Sequence, residues 1–196
     1  MSKFLALLAL VASPILVVAL VPPNPPPFHI IAGASGTEFI HLQPIEAANG
    51  SLWIGAETSS ACPSTVADCP PGDVTAFSGG QTTVYLDVSV PAGQIVYVLG
   101  DNGEVHFTPP NDPLLPLQGN AVMQGFHWES TEPSEGLGEL TFTGLNSSTF
   151  VACPKGDPFP FQVFARVPNV NWAGCTNFSA ITAPYPGGGV AAYEYN

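Results

Sequence analysis

Val84-Tyr85-Leu86-Asp87-Val88-Ser89-Val90, then Pro91-Ala92-Gly93, then Gln94-Ile95-Val96-Tyr97-Val98-Leu99 is the stretch that decides the fold. Val84, Leu86, Val88 and Val90 fall on one face of an extended chain, and Tyr85, Asp87 and Ser89 on the other. That period of two marks a half-buried strand. Pro91-Ala92-Gly93 turns the chain, and residues 94–99 read as a strand buried on both faces. Gly100-Asp101-Asn102-Gly103 turns it again into a short return strand over 104–108.

Working outward, apolar or alternating runs at 38–42, 52–55, 122–128, 139–144, 149–152, 161–167 and 177–182 predict further strands. About ten short strands separated by turn signals point to an all-β, single-domain β-sandwich, with a small β-barrel as the alternative. Composition agrees. Of 196 residues 22 are Pro and 20 are Gly, and only 9% are charged, where about a quarter is usual. Long amphipathic helices need charged faces and few breakers, so bundles and solenoids are excluded. Disorder throughout is excluded as well, because 45% hydrophobic residues with 12 Phe suffice for a core.

The few charges are lopsided, 15 acidic against 3 basic. Nucleic acid is therefore not an expected partner, since phosphate neutralisation requires Lys and Arg. Met1-Ser2-Lys3 followed by an apolar run from Phe4 to Val21 has the layout of a secretory signal peptide. The competing reading is a membrane anchor. Pro14, the single basic flank and the run Pro22-Pro23-Asn24-Pro25-Pro26-Pro27 favour cleavage, with Val17 and Ala19 placed three and one before the cut. The expected organisation is a signal peptide at 1–19, a Pro-rich segment at 20–35, the sandwich at 36–183 and a flexible Gly-rich tail at 184–196. The tail lacks the hydrophobic end of a GPI signal, so no membrane attachment is expected after cleavage. Cleavage leaves Lys155 and Arg166 against 15 acidic residues, a formal charge of −13.

Cys62, Cys69, Cys153 and Cys175 form an even set in a secreted chain, which reads as two disulfides. Of the three possible connectivities, Cys62–Cys69 with Cys153–Cys175 is favoured, the first closing a small loop. A metal site would need C-x-x-C spacing and a nearby His, and neither is present. Three sequons, at Asn49, Asn146 and Asn177, are glycosylation candidates. Asn49-Gly50 also reads as a hairpin turn, while Asn146 falls at a polar break between apolar runs.

Groups that carry chemistry are sparse. Glu129, Glu132, Glu135 and Glu139 follow Phe126-His127-Trp128 closely enough to suggest a glycosidase carboxylate pair with Trp128 as a stacking platform. The plainer reading is a solvated acidic loop, given the Pro, Ser and Gly among them. Trp53, Trp128 and Trp172 suit carbohydrate stacking, and equally the partial core of a sandwich. His29, His41, His106 and His127 never occur at metal-ligand spacing. His29 would serve a copper polysaccharide oxidase only if cleavage followed Phe28. No nucleophile elbow or phosphate loop occurs. No catalytic residue, metal or cofactor is expected.

A series of stretches resembles a known family. They are Asn49-Gly50-Ser51-Leu52-Trp53-Ile54-Gly55, Thr58-Ser59-Ser60-Ala61-Cys62-Pro63 and Asp68-Cys69-Pro70-Pro71-Gly72. Val90-Pro91-Ala92-Gly93-Gln94-Ile95-Val96-Tyr97-Val98, Phe142-Thr143-Gly144-Leu145 and Phe150-Val151-Ala152-Cys153-Pro154 follow. Gln162-Val163-Phe164-Ala165 and Cys175-Thr176-Asn177-Phe178-Ser179-Ala180 close the series. Together, over residues 36–183, they resemble small secreted cell-wall proteins of filamentous ascomycete fungi, associated with phialide and conidium development and described as IgE-binding and allergen-like. The resemblance implies a non-enzymatic wall protein acting in wall organisation or asexual sporulation, with wall polysaccharide or wall proteins as partners. It transfers no catalytic position. A carbohydrate-active enzyme and a secreted effector or inhibitor are the competing expectations.

Overall fold

The computed structural model describes residues 25–112, 120–132 and 134–196, so the expected signal peptide at 1–19 lies outside the described residues. The strands in chain order are β1 (Phe28–Gly33), β2 (Ile45–Ala48), β3 (Ser51–Ile54), β4 (Ser60–Ala61), β5 (Phe77–Gly79), β6 (Val84–Leu86), β7 (Gln94–Leu99) and β8 (Val105–Phe107). They continue with β9 (Ala121–Val122), β10 (Phe126–Glu132), β11 (Leu137–Phe142), β12 (Phe150–Pro154), β13 (Phe161–Ala165), β14 (Thr176–Pro184) and β15 (Glu194–Tyr195).

Two strands turn the corners of the molecule. In β14, Thr176–Phe178 pair with β12, while the residues from Ser179 onward lie between β1 and β11. In β7, Gln94 and Ile95 pair with β6, Val96–Val98 with β8, and Val98–Leu99 with β9. One sheet is therefore β10-β11-β14-β1-β5-β6, and the other runs from β14 through β12, β13, β3 and β8 to β7. The ring is complete but thinly sewn: β1 meets β5 through Phe28–Phe77 alone, and β3 meets β8 through Ser51–His106 alone. The result is a sandwich with shared corners rather than a clean barrel.

The sheets bury their apolar faces against each other. Ile30, Phe77, Val84 and Leu140 from one sheet meet Leu52, Val96, Val105 and Val163 from the other around a dry void of about 20 Å³. That is roughly one water's worth of space, with no polar lining among the described residues. Both expected bridges, Cys62–Cys69 and Cys153–Cys175, are formed.

Several expectations need correcting. The segment 38–42 is a run of turns, because Leu42 adopts φ 62° and brings its N–H back to Ala32 O at 2.8 Å. β7 is not buried on both faces: Gln94, Val96 and Val98 are buried, while Ile95, Tyr97 and Leu99 are half-exposed. Residues 122–128 do not form one strand; the chain leaves β9 and re-enters the sheet at Phe126. The Glu129–Glu139 stretch is no loop but a hairpin of β10 and β11, with Glu129 directly opposite Glu139. Within the expected Pro-rich segment, residues 28–33 form β1 and pair six-deep with β14.

The Gly-rich end is likewise not a loose tail. Ala191, Ala192 and Tyr195 are fully buried. The Tyr195 hydroxyl donates to Val74 O at 2.8 Å and accepts from Ala76 N at 3.2 Å. Its main-chain N–H donates to Gln94 Oε1 at 2.7 Å, and its carbonyl accepts from Gln94 Nε2 at 2.9 Å. Gln94 is itself fully buried, so each member satisfies the other's polar groups. Burial pushes the Tyr195 phenol well above the ordinary tyrosine range.

Candidate functional site

The site is a surface groove built by two loops that flank β12 and β13. The first is the tight turn Gly144–Asn146 leading into Ser147 and Ser148; the second is the segment 166–175 between β13 and β14. Arg166 N–H donates to Thr149 O at 2.8 Å and joins the two loops. Cys175 is bonded to Cys153 of β12 and donates its N–H to Trp172 O at 3.1 Å. The Trp172 indole N–H donates to Val167 O at 3.1 Å, and its ring meets Phe164 edge-on at 5.7 Å. The groove lies on this braced loop. It is an open groove of about 330 Å³, lined by Asn146, Ser148, Arg166, Asn169 and Trp172 with neighbouring apolar residues.

Amides, a hydroxyl and a guanidinium supply hydrogen-bond donors and acceptors, and an indole supplies an apolar face. That mixture suits a polyhydroxylated ligand. The same corner collects Lys155 and Arg166: Lys155 Nζ sits 5.4 Å from the Phe164 ring centre, and Arg166 lines the groove. Arg166 also donates to Asn177 Oδ1 at 2.8 Å. Sequence reasoning missed this site because its two halves are about twenty residues apart. The available signal was Trp172 three residues before a bridging cysteine.

The acidic hairpin offers no comparable grouping. Glu129 and Glu139 are cross-strand neighbours on the solvent face with His127 and Thr141, where alternation puts Phe126, Leu140 and Phe142 inward. Trp128 points inward too, its indole N–H donating to Thr182 Oγ1 at 2.8 Å. The strand therefore places carboxylates and indole on opposite faces, and Trp128 is no platform for a sugar held by Glu129. Trp53 is also half-buried, its N–H donating to Ala48 O at 2.8 Å.

The four histidines sit apart in separate hydrogen-bonding settings. His29 Nδ1 lies 3.1 Å from Thr75 O, and Phe28 before it is 1% exposed against Phe77. A chain cut after Phe28 would lose that core ring, so an N-terminal copper role for His29 has no support here. His41 Nδ1 accepts from Ala34 N at 3.2 Å, and His127 is exposed on β10. Among the described residues no group of three His, Cys, Asp or Glu is placed to hold a metal.

Among the described residues, His106 makes the one arrangement that resembles a catalytic relay. Its Nδ1 is 2.9 Å from Ser51 Oγ and 3.1 Å from Gly50 O, and its Nε2 is 3.0 Å from Glu104 Oε2. Ser51 is 4% exposed, however, so its hydroxyl is shut off from any substrate, and Gly50 O also accepts from Phe107 N–H. The relay pins the β2–β3 turn to β8. Beside it, Tyr97 stacks on His106 at 5.6 Å, and burial followed by the Glu104 charge raises its phenol pKa.

All three sequon asparagines are exposed. Asn49 and Gly50 form the two-residue turn between β2 and β3, both at positive φ. Asn146 lies in the groove wall, and Asn177 lies on β14.

The family model for PhiA-like secreted proteins matches residues 28–196, beginning at the first residue of β1. An uncharacterized secreted protein of Arthroderma benhamiae is 32% identical over 198 residues, spanning 97% of this chain and 94% of that relative. No solved structure matches the chain. With sandwich, disulfides and this full-length likeness in agreement, the chain belongs to the PhiA-like secreted protein family.

Proposed function

We propose that this secreted fungal protein is a non-enzymatic component of the cell wall, serving wall organisation or asexual sporulation. It holds neutral wall polysaccharide in the groove beside Trp172. The observation that carries this reading is which groups are brought together: the indole, amides and guanidinium share one disulfide-braced groove, whereas the carboxylates lie on a strand face outside it. A sugar needs both an apolar face and hydrogen bonds to be held, and hydrolysis needs carboxylates in the same cleft. With only Lys155 and Arg166 as cations beyond the apolar N-terminal run, attachment does not depend on charge.

Co-sedimentation with insoluble β-glucan and chitin tests the reading. Binding should survive high salt and fall about tenfold or more in Trp172→Ala. Salt-stripped binding, or reducing-sugar release that disappears in Glu129→Gln, would reject it. Deletion of the gene should alter conidiophores or the wall protein profile. A second reading, a protein-binding effector or inhibitor, is favoured by exposed Phe39 and Phe159, whose rings meet edge-on at 5.6 Å.

A further inference from the structure

We propose that Asn146 carries an N-glycan whose first sugars fold into the groove beside Trp172, so that the protein caps its own polysaccharide site. The capping consequence rests on the groove being a saccharide site, as proposed above; the docking itself does not.

Asn146 and Ser148, the two residues that define the sequon, both line the groove. Asn146 stands at φ 55° in an exposed tight turn, while Ser147 between them is buried and donates to Thr149 O at 3.2 Å. The turn is thus anchored through Ser147 and leaves Asn146 and Ser148 exposed at the groove. A sugar joined to Asn146 Nδ2 starts at the wall of the groove that Trp172, Arg166 and Asn169 also line.

The other sequons differ. Asn49 lies at the β2–β3 turn, where its N–H donates to Asn196 O at 2.7 Å, and the Ser51 hydroxyl is held by His106. Asn177 sits within β14 with its Oδ1 on Arg166, an interaction that attachment at Nδ2 leaves in place.

Attachment is ordinary secretory chemistry. Nδ2 bonds to the anomeric carbon of an oligosaccharide carried on a lipid pyrophosphate, the carbon–oxygen bond to that pyrophosphate breaks, and the amide loses one proton. At about 330 Å³ the groove stands at the lower end of small-ligand sites, which begin near 300 Å³, and so takes one or two sugar rings. A short tether gives those rings an effective concentration of about millimolar. A weakly held free saccharide cannot compete with that. Removing the glycan therefore opens the groove to the wall.

The experiment uses full-length protein secreted from a fungal host. Peptide mass analysis should find sugar on Asn146; an unmodified Asn146 overturns the proposal. Endoglycosidase should cleave the Asn146 glycan at least about tenfold more slowly in native than in denatured protein, as expected for a docked tether. Cleavage should also shift tryptophan emission, and the shift should vanish in Trp172→Phe. Equal cleavage rates with no emission change overturn the docking.

The last arm measures binding of a soluble β-glucan hexasaccharide. Ser148→Ala, which keeps the Asn146 side chain but abolishes the sequon, should bind about tenfold or more tightly than the glycosylated protein, and Ser179→Ala, which abolishes the Asn177 sequon and leaves the Asn177–Arg166 contact, should not. If docking holds while Ser148→Ala binds no hexasaccharide, the capping of a polysaccharide site fails together with the wall reading, and the glycan contact stands alone.

Discussion

The C-terminal segment and the acidic hairpin look alike in one respect, both interrupted by Gly and Pro and poor in long apolar runs. Each is ordered, for opposite reasons. The C-terminal segment has only the two-residue strand β15, yet buries Ala191, Ala192 and Tyr195 completely and closes a hydrogen-bond circuit with Gln94. The hairpin has strands of seven and six residues, but β10 stands at the sheet edge with four of its last five side chains exposed. One region is fixed by side chains that nothing else can satisfy, the other by a main-chain ladder indifferent to its outer residues. Strand length is therefore a poor guide to where this protein keeps its stability.

The comparison breaks first at the chain end. Deleting residues 191–196 empties the Tyr195 site and strands Gln94, a loss of about 5 kcal/mol or more, comparable with the whole stability of a domain. Secretion yield and circular dichroism should show an unfolded or degraded product; a folded truncation near the original Tm would contradict the clasp. Tyr195→Phe keeps the ring and removes only the hydroxyl, leaving Val74 O and Ala76 N–H without it. Urea unfolding should register a loss of about 1–3 kcal/mol.

A pH effect sharpens the same region. Asp87 accepts the Ala191 N–H at 3.2 Å, and burial raises its pKa more than that bond lowers it. The folded state thus holds this proton more tightly than the unfolded chain, so Asp87's contribution weakens stability as pH rises from the usual aspartate range through the raised value. Below that window the penalty is absent. Subtracting Tm–pH curves of Asp87→Asn from wild type should isolate this slope, and parallel curves would refute it. The smallest effect belongs to the hairpin: Glu129→Gln relieves two like charges placed opposite one another and should raise stability by about 0.2–1 kcal/mol, fading in high salt.

What the sequence made legible follows from the range of the interactions. Val84 and Leu86 alternate with Tyr85, so the inward face of β6 is readable from neighbours alone. The Cys62–Cys69 loop is local in the same sense. β1 is hidden behind a run of prolines, and β5, Phe77–Gly79, is too short to show a period. The Gln94–Tyr195 circuit joins residues 101 apart, and no local pattern announces it. The acidic stretch was misread because charge and glycine outweighed the alternation of Trp128, Leu140 and Phe142. The groove needed the 146–148 turn and the 166–172 loop to meet through Arg166 and Thr149, a tertiary event.

The crossing of β14 between the two sheets has a consequence for the order of events at birth. β1, made first, finds one residue pair with β5 and six with β14, some 150 residues later. Contacts of that separation form slowly, because a long loop must close before anything is gained. The sandwich cannot shut while the chain is still crossing into the secretory compartment. Asn146 therefore passes through that compartment on an open chain, before the groove it lines exists.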